Sequence, residues 1–375
     1  MRCPIWFLRI TLAAAALFGG LGIYPAHAQL KLGQSVDMSG VTSPLSKDLI
    51  RGIKAHFNAI NSTGGIKGQK VELVTLDDKF DPNKTLENTK QLIADASVVG
   101  LIGYRGTVNL QKIVPVIVES KIPLIGTTSG AVSLRKPVNP YMFHARASLA
   151  DEIDVLISHA LVTSVRSIAV VYQDDAYGKE GLTAFDASMS ARGLKSIATT
   201  SIPRGTLEVE AAATLIAQAN PALLIFIGQS KPAAALFIAL KKRGRTPQLM
   251  VTSIVAGIFD ELREEAHGVI VSQVVPLPSR TGSARIVQQY QAAMLASGET
   301  KFTHGSLEGY LMASVATRSL AIASPKPTRA SLRKALDAMS NEDFGGYPIK
   351  YSSSSHNGSQ FVDITMIRKN GEFAQ

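Results

Sequence analysis

The sequence predicts an α/β protein built from two doubly wound, mainly parallel sheets. Short apolar runs rich in β-branched residues alternate with helical patterns along nearly the whole chain, which is typical of βα units. This alternation begins afresh near residues 141–147, so two series of strands are present. A chain of 375 residues is also long enough to divide into two lobes, each with its own core.

The first series contains four apolar runs that we predict to be strands, over residues 30–36, 71–76, 98–103 and 122–126. Between the first two runs, Leu49, Ile53 and Phe57 recur at helical spacing, and two glycines end that helix. After the second run, Asp81 is a predicted helix N-cap and Pro82 takes the first helical position. Helices thus separate successive strands, as a parallel sheet requires.

The second series predicts five more strands, over residues 167–172, 197–202, 222–228, 248–252 and 268–275. Two long helical patterns follow, over 284–296 and 305–323, and a last strand over 361–367 leads into a turn. The two series therefore predict two related sheets within one chain.

Residues 1–28 are predicted to be an export signal. They begin with Arg2 and Arg9, continue with an apolar stretch and end in small residues at positions 26 and 28. The apolar stretch is too short for a convincing membrane span. Cys3 is the only cysteine, so the processed chain over 29–375 would contain neither a disulfide nor a thiol nucleophile. We expect the processed chain to be exported from the cytoplasm.

The net charge of +10 does not indicate a nucleic-acid-binding protein, because lysine and arginine are spread along the chain. The densest basic cluster, 241–245, follows an apolar helix, where cations complement the helix dipole. Histidines lack the spacing of a metal site, and Asp77, Asp78 and Asp81 lack the pattern of a calcium loop. No phosphate-binding motif lies between a strand and a helix. We therefore predict neither a metal nor a cofactor.

Open parallel sheets bind ligands beyond the carboxyl ends of their strands. In this sequence the strand-end segments are rich in hydroxyls and glycine, which hold anions well but are also common turn and cap residues. Seven segments are predicted to gather there: 37–45, 77–81, 104–109, 127–131, 173–178, 229–232 and 253–257.

The acids in Asp174-Asp175-Ala176-Tyr177-Gly178 follow a buried strand and raise the possibility of a catalytic carboxylate pair. Such a pair needs a third group beside it, and none is evident. We interpret one or both aspartates as the cap of the next helix. Tyr177 is then expected to project from the loop and to grip a small ligand through its ring and hydroxyl.

A serine hydrolase is the competing enzymatic interpretation, centred on Ser129. The segment from Gly126 to Gly130 is similar to a nucleophile elbow, but the serine falls one place late for G-x-S-x-G. No histidine stands out as its general base. A fluorophosphonate probe would label a hydrolase and leave a binding protein unmarked.

Over nearly all of residues 29–375 the chain resembles the periplasmic solute-binding proteins of the leucine/isoleucine/valine-binding type. The resemblance rests on "INSTGGIKGQ", "DDKFDP" and "DDAYGKEG" in this order, supported by "GLIGYRGTVN", "PLIGTTSG" and "HGSLEGYLMA". It implies the type I fold, in which two lobes joined by three crossings close over a ligand. The expected lobes are 29–146 with 276–344, and 147–275 with 345–375.

The resemblance also implies a function without catalysis. It predicts an extracytoplasmic receptor of an ABC importer that binds a small carboxylate or amino-acid-like metabolite and delivers it to an inner-membrane permease. A periplasmic sensor with the same fold is the alternative. Carried over position by position, Thr107, Ser129 and Gly130 would hold a carboxylate and Leu45 would line the pocket. Tyr177 and Gln229 would contact the ligand from the second lobe, and Ser253 is a further expected contact there.

One position departs from the family pattern. Relatives that bind α-amino acids carry an acid after the strand "QLMVTS", whereas this chain has Ser253 and Ile254. A buried ammonium without a partner is costly, so we hypothesise a ligand that lacks an α-ammonium, unless Asp174 or Asp175 supplies the missing charge.

Two arginines leave alternatives open. Arg105 follows the third strand and would either bind an anionic ligand bidentately or form a surface ion pair. Arg146 lies at the first crossing between lobes and would form either an interlobe salt bridge or a ligand contact.

Overall fold

The computed structural model describes residues 29–280 and 284–375, so the predicted export signal over 1–28 lies outside the described residues. The strands of the described part are β1 (Leu30–Val36), β2 (Val71–Asp77), β3 (Val98–Tyr104), β4 (Leu124–Thr127), β5 (Met142–Phe143), β6 (Ile168–Asp174), β7 (Thr199–Pro203), β8 (Leu223–Ile227), β9 (Gln248–Val251), β10 (Ile270–Gln273), β11 (Glu342–Asp343), β12 (Pro348–Ile349), β13 (Asp363–Ile367) and β14 (Phe373–Ala374).

The α-helices of the same residues are α1 (Ser43–Ser62), α2 (Pro82–Ala94), α3 (Thr107–Ser120), α4 (Leu149–Val162), α5 (Ala176–Ala191), α6 (Glu210–Ala219), α7 (Ser230–Lys242), α8 (Ile258–Leu262), α9 (Arg285–Ala296), α10 (His304–Ala323) and α11 (Arg329–Asp337). Within 29–280 and 284–375, no helix combines the length and apolar character that a membrane crossing requires.

Twelve of the described strands form two open sheets, which confirms the predicted α/β class, and β11 and β12 pair with each other as a separate antiparallel ribbon. The first sheet has the order β2-β1-β3-β4-β5 and is parallel throughout. The second repeats this order as β7-β6-β8-β9-β10, again parallel, and adds β13 and β14 in antiparallel pairing. In each sheet the direction of winding reverses beside the first strand of its series, which is where ligands of such sheets bind.

Each sheet belongs to a separate lobe. The first lobe contains the five-stranded sheet with α1–α3 and α9–α11, and the second contains the seven-stranded sheet with α4–α8. The chain passes between them three times, after β5, after β10 and before β13. Tyr347, Ile349 and Tyr351 pack in the core of the first lobe. The chain therefore returns to the second lobe later than the boundary expected after residue 344.

Helices α1 and α10 pack closely in the first lobe. The predicted apolar face of α1, with Leu49, Ile53 and Phe57, is buried against α10. Gly52 lies at the crossing point, where a Cβ atom would be 1.7 Å from the carbonyl oxygen of Ser306. The absence of a side chain at position 52 is therefore what allows the two backbones to approach.

Candidate functional site

A cleft of about 580 Å³, part of it open to solvent, lies between the carboxyl ends of the two sheets. All seven predicted strand-end segments contribute to its walls, four from the first lobe and three from the second. The lining residues are Thr42, Leu45, Phe80, Arg105, Gly106, Thr107, Val108, Asn109, Thr128, Ser129, Gln173, Asp175, Tyr177, Arg204, Gly228, Gln229 and Ile254.

Most of the sequence-predicted site residues come together in this cleft. The structure places the following on its walls: Leu45, Arg105, Thr107, Ser129, Tyr177 and Gln229. Gly130 and Ser253 lie outside the lining. The carbonyl of Gly130 instead accepts a hydrogen bond from the backbone N–H of Leu149 at 2.8 Å, which ties the loop after β4 to the start of α4.

Two hydroxyls and a helix start form a polar cluster on the first lobe. The side-chain oxygens of Thr107 and Ser129 are 2.8 Å apart, and Ser129 Oγ also accepts from the N–H of Ala131 at 3.2 Å. Gly106, with a φ of +81°, leads into α3 and offers no side chain to cap it. Backbone N–H groups at an uncapped helix start favour an anion, so this cluster suits a carboxylate.

The segment "DDKFDP" positions an aromatic ring over the cleft. Lys79 and Phe80 both have left-handed backbone conformations, with φ of 51° and 61°, which L-residues adopt at a cost. The carboxylates of Asp77 and Asp78 hold this turn by accepting from the N–H groups of Lys79 at 3.0 Å and Phe80 at 2.9 Å. The Phe80 ring therefore has a defined place at the mouth of the cleft.

On the second lobe, the sequence correctly indicated a capping aspartate but misplaced the tyrosine. Asp175 is the N-cap of α5 and accepts from the N–H of Gly178 at 2.9 Å. Tyr177 therefore lies in the first turn of α5, not in a loop, and its hydroxyl is 3.0 Å from Thr252 Oγ1. Burial raises the pKa of Tyr177, so its hydroxyl stays protonated and can donate.

The two neighbouring aspartates have different surroundings. Asp174 lies outside the cleft lining and pairs with Lys179 at 2.8 Å. Asp175 lines the cleft, but its second oxygen accepts from Gln173 Nε2 at 2.6 Å and lies 3.6 Å from Arg204 Nε. Asp174 therefore forms a surface ion pair and Asp175 caps a helix, and the two do not form a catalytic dyad.

Arg105 forms no hydrogen bond and no close ion pair with the described residues. Among residues 29–280 and 284–375 no acceptor forms a hydrogen bond with its guanidinium, no carboxylate lies within 4.0 Å, and its Nε atom is buried. Burial lowers the pKa of Arg105 to about 10, which leaves the side chain charged at neutral pH. The alternative of a surface ion pair is therefore wrong for this residue.

Arg146 behaves in the opposite way and bridges the lobes. It donates to the carbonyl of Thr128 at 2.7 Å and lies 3.3 Å from Glu308, both in the first lobe. From the second lobe, Glu152 pairs with it at 2.6 Å and Ser253 Oγ accepts from it at 2.5 Å. Arg146 thus forms the interlobe salt bridge and not a ligand contact. The hydroxyl of Ser253 is already hydrogen-bonded to Arg146.

Two further contacts join the lobes near the mouth of the cleft. The Arg204 guanidinium carbon lies 5.6 Å from the centroid of the Phe80 ring, within the range of a cation–π interaction. The carboxylate of Glu180 accepts from the N–H of Ser133 at 3.0 Å and from its hydroxyl at 2.5 Å. These contacts hold the two lobes together in the conformation described.

Sequence reasoning named the strand-end segments but missed several lining side chains. Phe80 and Ile254 lie in predicted segments, whereas Arg204 follows β7, a strand end that the prediction left out. The same strand-end rule applied to β7 would have found it. In the described part of the chain, no group of three or more His, Cys, Asp or Glu residues is arranged to hold a metal ion.

Two α/β lobes that enclose a cleft lined by strand ends from both define a two-lobe solute-binding protein. The chain belongs to the family described as periplasmic binding protein, whose model matches residues 29–372. This family is extracytoplasmic, in agreement with the predicted location.

Several relatives are distant in sequence but cover almost the whole chain. The Leu/Ile/Val-binding protein homolog 7 of Brucella melitensis biotype 1 is 24% identical over 371 residues, covering 93% of this chain and 91% of that one. A possible leucine/isoleucine/valine-binding protein of Rhodopirellula baltica SH 1 superimposes with a TM-score of 0.88 at 25% identity, covering 94% and 98%. A substrate-binding periplasmic protein of Ralstonia solanacearum gives 0.86 at 28% identity, covering 92% and 100%.

Proposed function

We propose that this protein is the extracytoplasmic receptor of an ABC importer, which closes two lobes over a small carboxylate or amino-acid-like metabolite and delivers it to an inner-membrane permease. The observation that carries the proposal is the cleft, because groups from both lobes face one shared space between them. A ligand that contacts both walls stabilises the closed arrangement, which a permease can then distinguish from the open one.

Each wall contributes suitable groups. On the first lobe, Thr107, Ser129 and the start of α3 offer hydroxyl and N–H donors for a carboxylate. On the second lobe, Tyr177 and Gln229 offer further polar contacts next to apolar surface. The relative named as a Leu/Ile/Val-binding protein supports a ligand of this size and type.

The surroundings of Ser129 argue against a hydrolase. Its hydroxyl is paired with Thr107 and with the N–H of Ala131, and neither is a general base. The nearest candidate base in sequence, His144, has its ring nitrogens 3.2 Å from Thr127 Oγ1 and 3.2 Å from the carbonyl of Leu134. Burial also lowers the pKa of His144. A binding protein without catalysis accounts for these contacts.

A thermal-shift screen of residues 29–375 against a library of small metabolites tests the proposal. A ligand at 100 times its Kd adds about 2.7 kcal/mol to the folded state, which is enough to raise Tm measurably. We expect Tyr177→Ala to remove most of this shift and Tyr177→Phe, which keeps the ring, to remove less. Tyr141→Ala, which changes a tyrosine outside the cleft, serves as the control. A library without any stabilising compound, or a shift unchanged in Tyr177→Ala, would contradict the proposal.

A further inference from the structure

The charged groups that line the cleft do not balance. Arg105 and Arg204 are cationic and Asp175 is anionic, so one positive charge is left over among the described lining residues. Asp175 and Arg204 lie 3.6 Å apart and offset one another. The excess charge therefore belongs to Arg105, for which no carboxylate of the described chain lies within ion-pair distance.

The Arg105 guanidinium forms no hydrogen bond or close ion pair, because Glu308, the acid that acts on it most strongly, pairs with Arg146. Closing the lobes around this charge increases its cost by removing water. An anionic ligand removes the imbalance, and the planar guanidinium matches a carboxylate bidentately. A zwitterionic amino acid adds no net charge and leaves the imbalance in place. It also brings an ammonium, for which the lining offers only Asp175, already bound to Gln173 and to the start of α5.

The residues that follow β9 also provide no partner for an ammonium group. Ser253 is turned towards the hinge, where its hydroxyl accepts from Arg146 and its N–H donates to Glu152. Its neighbour Ile254 lines the cleft and offers only an apolar surface. The lining also includes Leu45, Phe80 and Val108, so much of the wall suits a hydrocarbon body.

We propose that the ligand is an organic acid with an apolar body and no ammonium group, and that the guanidinium of Arg105 is the counter-ion of its carboxylate. This inference rests on the proposed function, because it names the ligand class of the same cleft. The selective element is the charge: a free carboxylate is accepted, and the corresponding amide or α-amino acid is rejected.

Two matched series of compounds test this by titration calorimetry on residues 29–375. The aliphatic series is 4-methylpentanoate, 4-methylpentanamide and leucine, and the aromatic series is 3-phenylpropanoate, 3-phenylpropanamide and phenylalanine. We expect an acid to bind, with its amide and amino acid at least about 10-fold weaker, a difference of 1.4 kcal/mol. Arg105→Gln is expected to weaken the acid by on the order of 100-fold. Lys112→Gln, which removes a charge from the exposed face of α3, the helix that follows Arg105, leaves Kd unchanged.

Misfolding of Arg105→Gln is checked by its ligand-free Tm, which we expect to be no lower than that of the unmodified protein because the side chain makes no hydrogen bond or ion pair to lose. Leucine or phenylalanine binding as tightly as the matching acid would overturn the inference, as would an unchanged Kd in Arg105→Gln. If neither series binds, the library screen decides: an anionic hit supports the inference and a neutral or zwitterionic hit overturns it. A library without any hit overturns the receptor function itself.

Discussion

Replacing Glu152 by Gln removes one charge from the interlobe network without changing its size. One carboxylate oxygen of Glu152 accepts from Arg146 Nη2 at 2.6 Å. The other accepts from the N–H of Ser253 and from Ser272 Oγ, both at 2.8 Å. An amide has only one acceptor oxygen, so its NH2 group must face either Arg146 or the Ser253 N–H. Each orientation brings two donors together.

The expected loss follows from the burial of the pair. The side chains of Arg146 and Glu152 are 2% and 1% exposed, and Glu308, at 3.3 Å, is the remaining carboxylate near Arg146. Glu308 still offsets the charge of Arg146, so the loss comes from the buried donor that is left without an acceptor, which costs about 1–3 kcal/mol. We expect the free energy of unfolding of Glu152→Gln to fall by this amount, measured by urea denaturation with far-UV circular dichroism and tyrosine fluorescence. Coincidence of the two probes tests two-state behaviour.

An exposed pair provides the matched control. Arg318 and Glu342 lie 3.0 Å apart, but their side chains are 51% and 31% exposed. Surface ion pairs contribute less than about 1 kcal/mol, so Glu342→Gln should lose no more than that. Equal losses in Glu152→Gln and Glu342→Gln would refute the reasoning that burial makes the interlobe pair important.

Two further predictions concern the first lobe. Burial lowers the pKa of His56 to about 4, below the value of about 6.5 in the unfolded chain. The contribution of neutral His56 to the free energy of unfolding is therefore complete above pH 6.5 and is lost as pH falls towards 4. In His56→Gln the slope of unfolding free energy against pH in this window should be shallower by about 1.4 kcal/mol per pH unit, and parallel curves would contradict this. Gly52→Ala should lower the unfolding free energy by about 1–3 kcal/mol through overpacking against Ser306, although alanine normally favours a helix by about 1 kcal/mol. A Gly52→Ala variant with unchanged or higher stability would show that the helices separate freely.

The strands were predictable because the sequence of a buried parallel strand is a short continuous run of apolar residues. The run predicted over 222–228 became Leu223–Ile227, and the one predicted over 71–76 became Val71–Asp77. Capping is similarly local, so Asp81 was identified correctly, with its side chain accepting from the N–H of Asn83 at 2.7 Å. The placement of Tyr177 failed by a residue or two, because a cap at Asp175 already makes Ala176 helical.

The lobe boundary near the end of the chain shows where local patterns stop being sufficient. Residues 345–351 contain two turn glycines and then apolar side chains at every second position, 347, 349 and 351, a pattern that fits either lobe. The lobe in which Tyr347 packs is decided by partners that are distant in sequence. Its hydroxyl donates to the carbonyls of Ala145 at 3.2 Å and Val274 at 2.8 Å, which lie at the other two crossings. Such a contact depends on where three chain segments meet.

By itself the sequence determined the α/β class, the two series of strands, the helix caps and the segments that gather at the strand ends, because each depends on residues that are neighbours along the chain. Only the tertiary structure decided which arginine is free. Arg105 and Arg146 both follow apolar strands, but Glu308, 162 residues from Arg146 along the chain, lies 3.3 Å from it, whereas no carboxylate of the described residues lies within 4.0 Å of Arg105. The charge of a cleft is the sum of groups brought together from many parts of the chain, and that sum exists only once the chain has folded.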